Sequence, residues 1–236
     1  MNCPSTRRWS DAGTVFFAVS DIDPELVDAA ARLLMDYERE GNEWRHGYPA
    51  DAPHLEQAWR NFAADIGPVL RQAAHLDPVP WRAALLETCR RTSGQPVSWW
   101  LAGSAALAVR GAPIEPGDLD LICDSSSAVL LGDLFADELI EPVVPADGSC
   151  ISDWWGRAFC GARIEWVGGV RSFVDEPELS DFGPAAARQL ETVDFEGWQV
   201  RVPPLELQRA VSVRRGLADR VALIDALAAA GASCNP

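Results

Sequence analysis

Two short segments, separated by thirteen residues, constrain the fold of this chain more than any other feature. In the first, an apolar run leads into Gly103-Ser104 and then into a helical pattern, which indicates a strand followed by a helix. In the second, Asp118–Leu121, acidic and apolar residues alternate, as in a strand with one buried face. Strands and helices that follow one another in this way predict a fold of mixed α and β structure.

Each segment also indicates a type of ligand. The backbone N–H groups and the Ser104 hydroxyl at a helix start favour an anionic phosphate, and Gly103 lets a phosphate approach the backbone closely. Asp118 and Asp120 are expected on one face of their strand, about 6–7 Å apart, while the leucines between and after them point to the core. Paired carboxylates at this spacing suit a hard cation such as Mg²⁺, whose remaining coordination positions phosphates can fill.

The turn-rich segment 92–96 divides the chain into two parts. Residues 1–95 are predicted to form a helical N-terminal module, with residues 20–92 all-helical, because apolar residues recur there at helical spacing. Residues 96–236 are predicted to form a small mixed β-sheet with flanking helices, so the fold class is α+β. The predicted helices are 23 to an end near 41–47, 53–74, 80–91, 104–109, 125–139 (N-cap Ser125 or Ser126), 205–215 and 217–230. The predicted strands are 97–101, 119–123, 139–144, 154–160, 163–167 and 198–202.

The charge of the chain excludes several classes of protein. The net charge is −15, and residues 96–198 hold 18 acidic residues against 5 arginines. A surface for duplex nucleic acid, which binds through phosphate neutralisation, is therefore not expected. All 20 basic residues are arginine, so enzymes that depend on a Schiff-base lysine or a P-loop lysine are excluded.

The remaining composition favours a protein of the cytoplasm. The six cysteines, at positions 3, 89, 123, 150, 160 and 234, form no C-x-x-C pair, so we expect free thiols. The three histidines all lie in the N-terminal third, away from a nucleophile, which disfavours a hydrolase triad. No apolar run reaches the roughly 18 residues of a membrane span, and no signal-peptide pattern is present. We therefore expect a cytoplasmic protein with no membrane partner.

Ala102–Ser104 and Asp118–Leu121 together resemble the motif of the nucleotidyltransferase superfamily that includes DNA polymerase β. The resemblance is closest to minimal bacterial members, namely the antibiotic nucleotidyltransferases and the abortive-infection-type nucleotidyltransferase toxins. It extends over residues 96–230 and does not include the first 95 residues. The family also carries a third carboxylate between apolar neighbours on a later strand, for which Glu165 is the best match and Asp153 the second choice.

This resemblance implies Mg²⁺-dependent transfer of a nucleoside monophosphate from ATP or another nucleoside triphosphate to an acceptor hydroxyl. Three carboxylates would hold two Mg²⁺ ions, and one of them could also act as general base. A Gly-Ser pair would hold the β- or γ-phosphate, and one or two arginines would neutralise the departing pyrophosphate. By this resemblance, the metal ligands would be Asp118, Asp120 and Glu165, and Glu165 could also be the base. The phosphate would be held by Gly103 and Ser104, and the pyrophosphate charge would be neutralised by Arg214 and Arg215.

The sequence leaves the acceptor and the activity itself open. The acceptor could be a small molecule, a protein or an RNA end, and the negative charge favours the first two. Trp154, Trp155 or Trp166, near Glu165, could stack on a base or on an acceptor ring. The alternative is a catalytically inactive nucleotide-sensing or protein-interaction module on the same fold, which would bind a nucleotide or a protein partner without releasing pyrophosphate.

Overall fold

A computed structural model of the chain describes residues 3–146, 148 and 150–233, so Cys234 lies outside the described residues. Within them the fold is α+β, as the sequence predicts, with eight α-helices and eleven strands in three sheets. None of the described helices is both long enough and apolar enough to cross a membrane. The described cysteines, at positions 3, 89, 123, 150 and 160, are free thiols as expected.

The first 95 residues combine an antiparallel sheet with three helices. The sheet has the strand order β1-β2-β4-β3, and the strands are β1 Ser5–Asp11, β2 Thr14–Ser20, β3 Glu38–Glu40 and β4 Glu43–Pro49. The helices are α1 Val27–Leu33, which continues a 3-10 turn at Pro24–Leu26, α2 Leu55–Ala73 and α3 Trp81–Thr92. The three helices predicted for this part are therefore present, although α1 ends at Leu33 and not near Gly41.

The prediction of an all-helical segment at residues 20–92 is wrong, because β3 and β4 lie within it. The two strands form a hairpin around Gly41, which has a φ of +62°, a conformation that glycine adopts at little steric cost. Trp44 and Tyr48 on β4 are buried against the core, and β4 pairs with β2 along its length. Tyr37 continues the apolar spacing of α1 into this hairpin, so the periodicity alone suggested a longer helix.

Residues 99–168 form a five-stranded mixed sheet with the order β5-β6-β9-β8-β7. Its strands are β5 Trp99–Ala102, β6 Leu119–Cys123, β7 Leu139–Pro145, β8 Trp154–Phe159 and β9 Arg163–Gly168. α4 Gly103–Ala108 follows β5, and α5 Ser125–Leu134 follows β6. β6 and β9 are parallel, and the other neighbouring pairs are antiparallel. Each strand and helix predicted for this part is present.

The N-cap of α5 differs from the prediction by one residue. The Asp124 carboxylate accepts a hydrogen bond from the Ser127 backbone N–H at 2.7 Å, so Asp124 is the cap in place of Ser125 or Ser126. Both serines were plausible caps by residue type, but Asp124 directly follows the last residue of β6 and occupies the capping position first.

The C-terminal part contains a second hairpin and three helices. Its elements are α6 Pro184–Ala187, β10 Glu191–Phe195, β11 Trp198–Val202, α7 Leu205–Arg214 and α8 Ala218–Ser233, after a 3-10 turn at Ser172–Asp175. β10 was not predicted; it pairs with β11 around Glu196-Gly197, where both residues have positive φ. The strand at β11 and the two long helices agree with the prediction. α7 and α8 pack against each other.

One buried apolar cluster extends over both parts of the chain, from Val15 on β2 to Val202 on β11. α2 packs along β7, and the Asn61 side chain on α2 donates to the carbonyls of Asp137 and Leu139 at 2.8 and 2.9 Å. The N-terminal part therefore shares a core with the central sheet. A domain boundary between residues 95 and 96 stays a prediction from the sequence.

Candidate metal centre and adjoining pocket

Three carboxylates converge near the starts of β6 and β9, two inner strands of the central sheet. In the parallel pair β6 and β9, Asp120 lies directly opposite Glu165. Asp118 immediately precedes β6, and one carboxylate oxygen from each of the three residues lies within 4.8 Å of the others. The structure thus brings together the three carboxylates that the sequence singles out. Asp153, the second choice for the third position, lies apart and contacts the Arg171 guanidinium at 3.4 Å.

Gly103 lies directly against the Asp120 carboxylate of this cluster. It begins α4 with a φ of +63°, a conformation that favours glycine. A Cβ atom added at Gly103 would lie only 2.3 Å from Oδ2 of Asp120. The Asp120 carboxylate can therefore occupy its place only because position 103 carries no side chain. Ser104, the second residue of α4, is half-buried next to it.

We expect Gly103→Ala to weaken Mn²⁺ binding at least about tenfold, because the new methyl group would displace the Asp120 carboxylate. The left-handed backbone alone should cost the alanine about 1–2 kcal/mol of stability. Isothermal titration calorimetry with Mn²⁺ and thermal unfolding would measure the two effects.

Gly94→Ala is the matched control for this prediction. Gly94 also has a positive φ, of +72°, but a Cβ there would meet no atom within 4 Å in the part of the chain that the structure describes. The control should lose stability and keep its Mn²⁺ affinity. If Gly103→Ala also kept the wild-type affinity, the contact between position 103 and Asp120 would not matter for metal binding.

Burial and mutual repulsion raise the pKa of two of the carboxyl groups. Burial, with repulsion from Asp118 and Glu165, raises the pKa of Asp120 to about 8. Burial also raises the pKa of Asp118, against the opposing effect of Arg163. The folded chain therefore holds negative charge here at a cost in free energy, which a bound cation would offset.

Two arginines compensate part of this charge. Arg163 forms an ion pair with Asp118 and places Nη1 3.0 Å from Oε1 of Glu165. Arg157 donates from Nε to the same Glu165 oxygen at 2.7 Å. Burial by itself would raise the pKa of Glu165, but the charges of Arg157 and Arg163 outweigh it and lower this pKa. Glu165 is therefore ionised at neutral pH, as a metal ligand and a general base both must be, and its lowered pKa makes it a weak base.

A pocket of about 390 Å³ adjoins the carboxylates, and Gly103, Asp120 and Glu165 form part of its wall. Another part of the wall comes from α7, α8 and the segment before α6, and includes Arg215, directly after α7, and Arg220 on α8. Because apolar surface, two guanidinium groups and carboxylates meet in one cavity, the pocket can accept a ligand that has both an apolar ring and anionic groups.

The two adjacent arginines of the C-terminal helices have different surroundings. Arg215 lines the pocket. Arg214 instead lies 2.9 Å from Oε2 of Glu178 and donates to the carbonyl of Leu179. Sequence reasoning could not separate these neighbours, and it missed Arg220, which reaches the pocket from α8. A pair of basic residues five positions apart on either side of a helix break is too weak a signal to single out Arg220 in advance.

Sequence reasoning also missed polar residues of the pocket wall. Asp181, in the loop before α6, is nearly buried, and burial raises its pKa against the influence of nearby arginines. Gln208 on α7 is buried and donates from Nε2 to the carbonyl of Gly103 at 3.2 Å, which ties α7 to the start of α4. Neither residue lies in a pattern that the sequence marks as unusual.

Of the three candidate stacking tryptophans, Trp155 fits best. Trp166 borders the pocket but is only 1% exposed, so it belongs to the core. Trp155 is half-buried and borders the pocket, and its indole Nε1 donates to Oε2 of Glu141 at 3.1 Å. Trp154 pairs with Pro145 at the end of β8 and is not part of the described pocket wall.

Comparison with protein-family models and with curated proteins gave no match. Among solved structures, a protein from Thermotoga maritima described as a candidate nucleotidyltransferase is 21% identical, with a TM-score of 0.48 over 61% of this chain and 89% of that chain. ANT(2″)-Ia in complex with adenylyl-2″-tobramycin is 14% identical, with a TM-score of 0.38 over 64% of this chain and 97% of that chain. The first is described as the kind of protein that the motifs of this chain resemble. The function proposed below therefore depends on the geometry of the site.

Proposed function

We propose that this chain is a divalent-metal-dependent nucleotidyltransferase that moves a nucleoside monophosphate from a nucleoside triphosphate to a hydroxyl group of an acceptor. The observation that carries the proposal is the convergence of Asp118, Asp120 and Glu165 beside a pocket. The wall of this pocket includes Asp120, Glu165 and Arg215. Carboxylates for a cation and a guanidinium for phosphate, placed around one cavity, are the groups that phosphoryl transfer requires.

The chemistry of the donor set fits Mg²⁺. All three side chains offer carboxylate oxygens, and hard cations such as Mg²⁺ prefer oxygen ligands and are commonly bound by one or two carboxylates together with substrate phosphates. Asp118, Asp120 and Glu165 would hold the metal. When bound there, it would supply Lewis-acid stabilisation of the phosphate charge and would lower the pKa of the acceptor hydroxyl.

The walls of the pocket suggest how a nucleotide would lie in it. Gly103 on the wall and its neighbour Ser104, which is not part of the described wall, would receive the β- or γ-phosphate. Arg215 and Arg220 would neutralise phosphate charge from another part of the wall. The half-buried Trp155 ring would contact the base or the acceptor. This arrangement would leave the α-phosphorus near the carboxylates.

The reaction would be a single displacement. The acceptor oxygen would form a bond to the α-phosphorus as the bond to the oxygen bridging the α- and β-phosphorus breaks, and pyrophosphate would leave. The hydroxyl proton would pass to a carboxylate of the cluster. The acceptor is a small molecule, a protein or an RNA end, and the net charge of −15 favours the first two because a polyanion would be repelled.

One observation favours a second candidate, a catalytically inactive nucleotide-sensing or protein-interaction module. Arg163 forms ion pairs with Asp118 and Glu165, two of the carboxylates that would have to bind a metal. If Arg163 kept these partners with nucleotide present, the pocket would bind nucleotide without transfer.

Pyrophosphate release separates the two candidates. Each of the four common nucleoside triphosphates would be incubated with the protein, Mg²⁺ and a pooled extract as the source of acceptor, beside the Asp118→Asn/Asp120→Asn variant. Release by the wild type alone supports the transferase. Nucleotide binding by calorimetry without release in any extract would support the inactive module.

We expect Arg215→Ala to raise the KM for the nucleoside triphosphate about tenfold, because a charge-assisted contact to phosphate is lost. Arg214→Ala is the matched control, since its guanidinium is paired with Glu178, and it should change KM less than about twofold. Steady-state pyrophosphate release measures both constants. Equal effects of the two substitutions would show that the pocket arginine has no special role.

A further inference from the structure

We propose that Arg157 and Glu141 are positioning residues for Glu165, and that the N-terminal part of the chain holds them in place through Tyr37. This inference rests on the proposed metal site and deepens it. It assigns a role to a buried polar chain of residues that runs from the N-terminal part of the fold to the edge of the carboxylate cluster.

The contacts at the site end fix one oxygen of Glu165. The Nε atom of Arg157 donates to Oε1 of Glu165 at 2.7 Å, and both residues lie side by side on the antiparallel pair β8 and β9. Arg157 is only 5% exposed, so its side chain has little freedom to choose another partner. With Oε1 held in this way, Oε2 of Glu165 remains for a metal ion.

The contacts at the other end fix Arg157. Its Nη1 donates to Oε1 of Glu141, which is also 5% exposed, and its Nη2 donates to the carbonyl of Leu33 at the end of α1 at 3.2 Å. The Tyr37 hydroxyl donates to the same Glu141 oxygen at 3.1 Å. Leu33 and Tyr37 belong to the first 95 residues, so the N-terminal part contributes one contact to Arg157 and one to its partner Glu141.

Glu141 also links this chain of contacts to the pocket. Its second oxygen accepts a hydrogen bond from the Trp155 indole at 3.1 Å, and Trp155 borders the pocket. Buried ion pairs add little net stability compared with apolar residues of similar size. Groups that orient a metal ligand from behind, by contrast, typically change metal affinity or activity about 10- to 100-fold when they are removed. A positioning role therefore explains the buried charges better than a role in stability.

The test is Arg157→Lys, which keeps the positive charge and loses the planar guanidinium, whose three nitrogen atoms each make one of these contacts. We expect the Mn²⁺ dissociation constant, measured by calorimetry without nucleotide, to rise about tenfold or more. The half-saturating Mg²⁺ concentration for pyrophosphate release should rise and kcat should fall by a similar factor, while the KM for the triphosphate changes less than about twofold.

Arg91→Lys is a matched control for the loss of a partly buried arginine. Arg91 likewise contacts two carboxylates, of Glu87 and Glu138, and one carbonyl, of Leu134, but none of these belongs to the pocket. Both variants should lose thermal stability, and only Arg157→Lys should lose Mn²⁺ affinity. If the Mn²⁺ dissociation constant of Arg157→Lys equalled that of the wild type, the proposal would be overturned.

Tyr37→Phe provides a second variant should Arg157→Lys fail to fold. It removes one hydroxyl and keeps the ring, and it should raise the Mn²⁺ dissociation constant about two- to fivefold, less than a direct partner of Glu165 would. An unchanged constant would overturn the link to the N-terminal part. If the wild type binds Mn²⁺ but transfers no nucleotide, the proposed function fails, and the Mn²⁺ constants of the variants still decide the positioning role.

Discussion

Exchange of Asp120 for Asn is expected to lower kcat for nucleotide transfer at least about 10³-fold, and at the same time to stabilise the metal-free protein. The loss follows from the removal of a charged metal ligand, since metal-ion catalysis contributes several kcal/mol and each 1.4 kcal/mol is about tenfold in rate. The gain follows from the crowding of Asp118, Asp120 and Glu165 within 4.8 Å, which costs the folded state free energy when no cation is present.

The stability difference between Asp120→Asn and the wild type should depend on pH. The pKa of Asp120 is raised to about 8 in the folded chain, against an ordinary value near 4 in the unfolded chain. Between these values the folded state binds a proton that the unfolded state has lost, so this group makes the wild type less stable as pH rises from about 4 to 8. Asparagine does not titrate, so the advantage of the variant should grow over that range. The pKa of Asp118 is also raised, but Asp118 titrates in both proteins, and the lowered pKa of Glu165 acts at lower pH.

Urea unfolding in EDTA at several pH values, together with pyrophosphate release in Mg²⁺, would measure the two effects. Asp65→Asn is the control, because burial also raises the pKa of Asp65, which lies on α2 away from the pocket. It should flatten part of the pH dependence of stability and leave kcat unchanged. Metal-dependent transfer that survived in Asp120→Asn would rule out the metal site.

The carboxylates of the site could be placed from the sequence because they depend on local patterns. Leu119 and Leu121 alternate with Asp118 and Asp120, and this period of two determines which side chains share a face. Glu165 stands between Ile164 and Trp166, both buried, in the same kind of alternation. The parallel pairing that sets Asp120 opposite Glu165 is not local, and the sequence did not predict it. The resemblance to a known family indicated only that Glu165 would join the two aspartates.

The arginines beside the carboxylates could not be placed in this way. A two-residue turn at Gly161-Ala162 would set Arg157 opposite Trp166, whereas the observed loop sets Arg157 opposite Glu165. A one-residue difference in register moves a side chain to the other face of the sheet, so the ion pair could not be seen before the loop was known. The β3–β4 hairpin was missed for a different reason, because short strands give weaker periodic signals than helices.

The second large effect is expected at Gly156 on β8, where an added Cβ would lie 2.5 Å from Cε2 and Cζ2 of Trp166. The indole cannot move away easily, because it is 1% exposed and its Nε1 donates to the carbonyl of Ala128 at 3.1 Å. Alanine is otherwise no worse than glycine in a strand. Gly156→Ala should therefore lower the free energy of unfolding by about 1–3 kcal/mol through overpacking, which corresponds to a fall in Tm of about 3–10 °C.

A double-mutant cycle tests whether the collision with Trp166 is the cause. Trp166→Phe alone should also destabilise the protein, because it leaves a cavity and removes the hydrogen bond from the indole to the carbonyl of Ala128. In Gly156→Ala/Trp166→Phe the methyl group would fill part of that cavity, so the double variant should be more stable than the sum of the single effects predicts, by more than about 0.5 kcal/mol. Additive effects would show that the collision with Trp166 is not the cause.

Gly117→Ala is the control, because an added Cβ there meets no described atom within 4 Å, and it should leave Tm almost unchanged. Because Trp166 follows Glu165 on β9, a displaced indole should also disturb the metal site, and Mn²⁺ affinity should fall together with Tm in Gly156→Ala but not in Gly117→Ala.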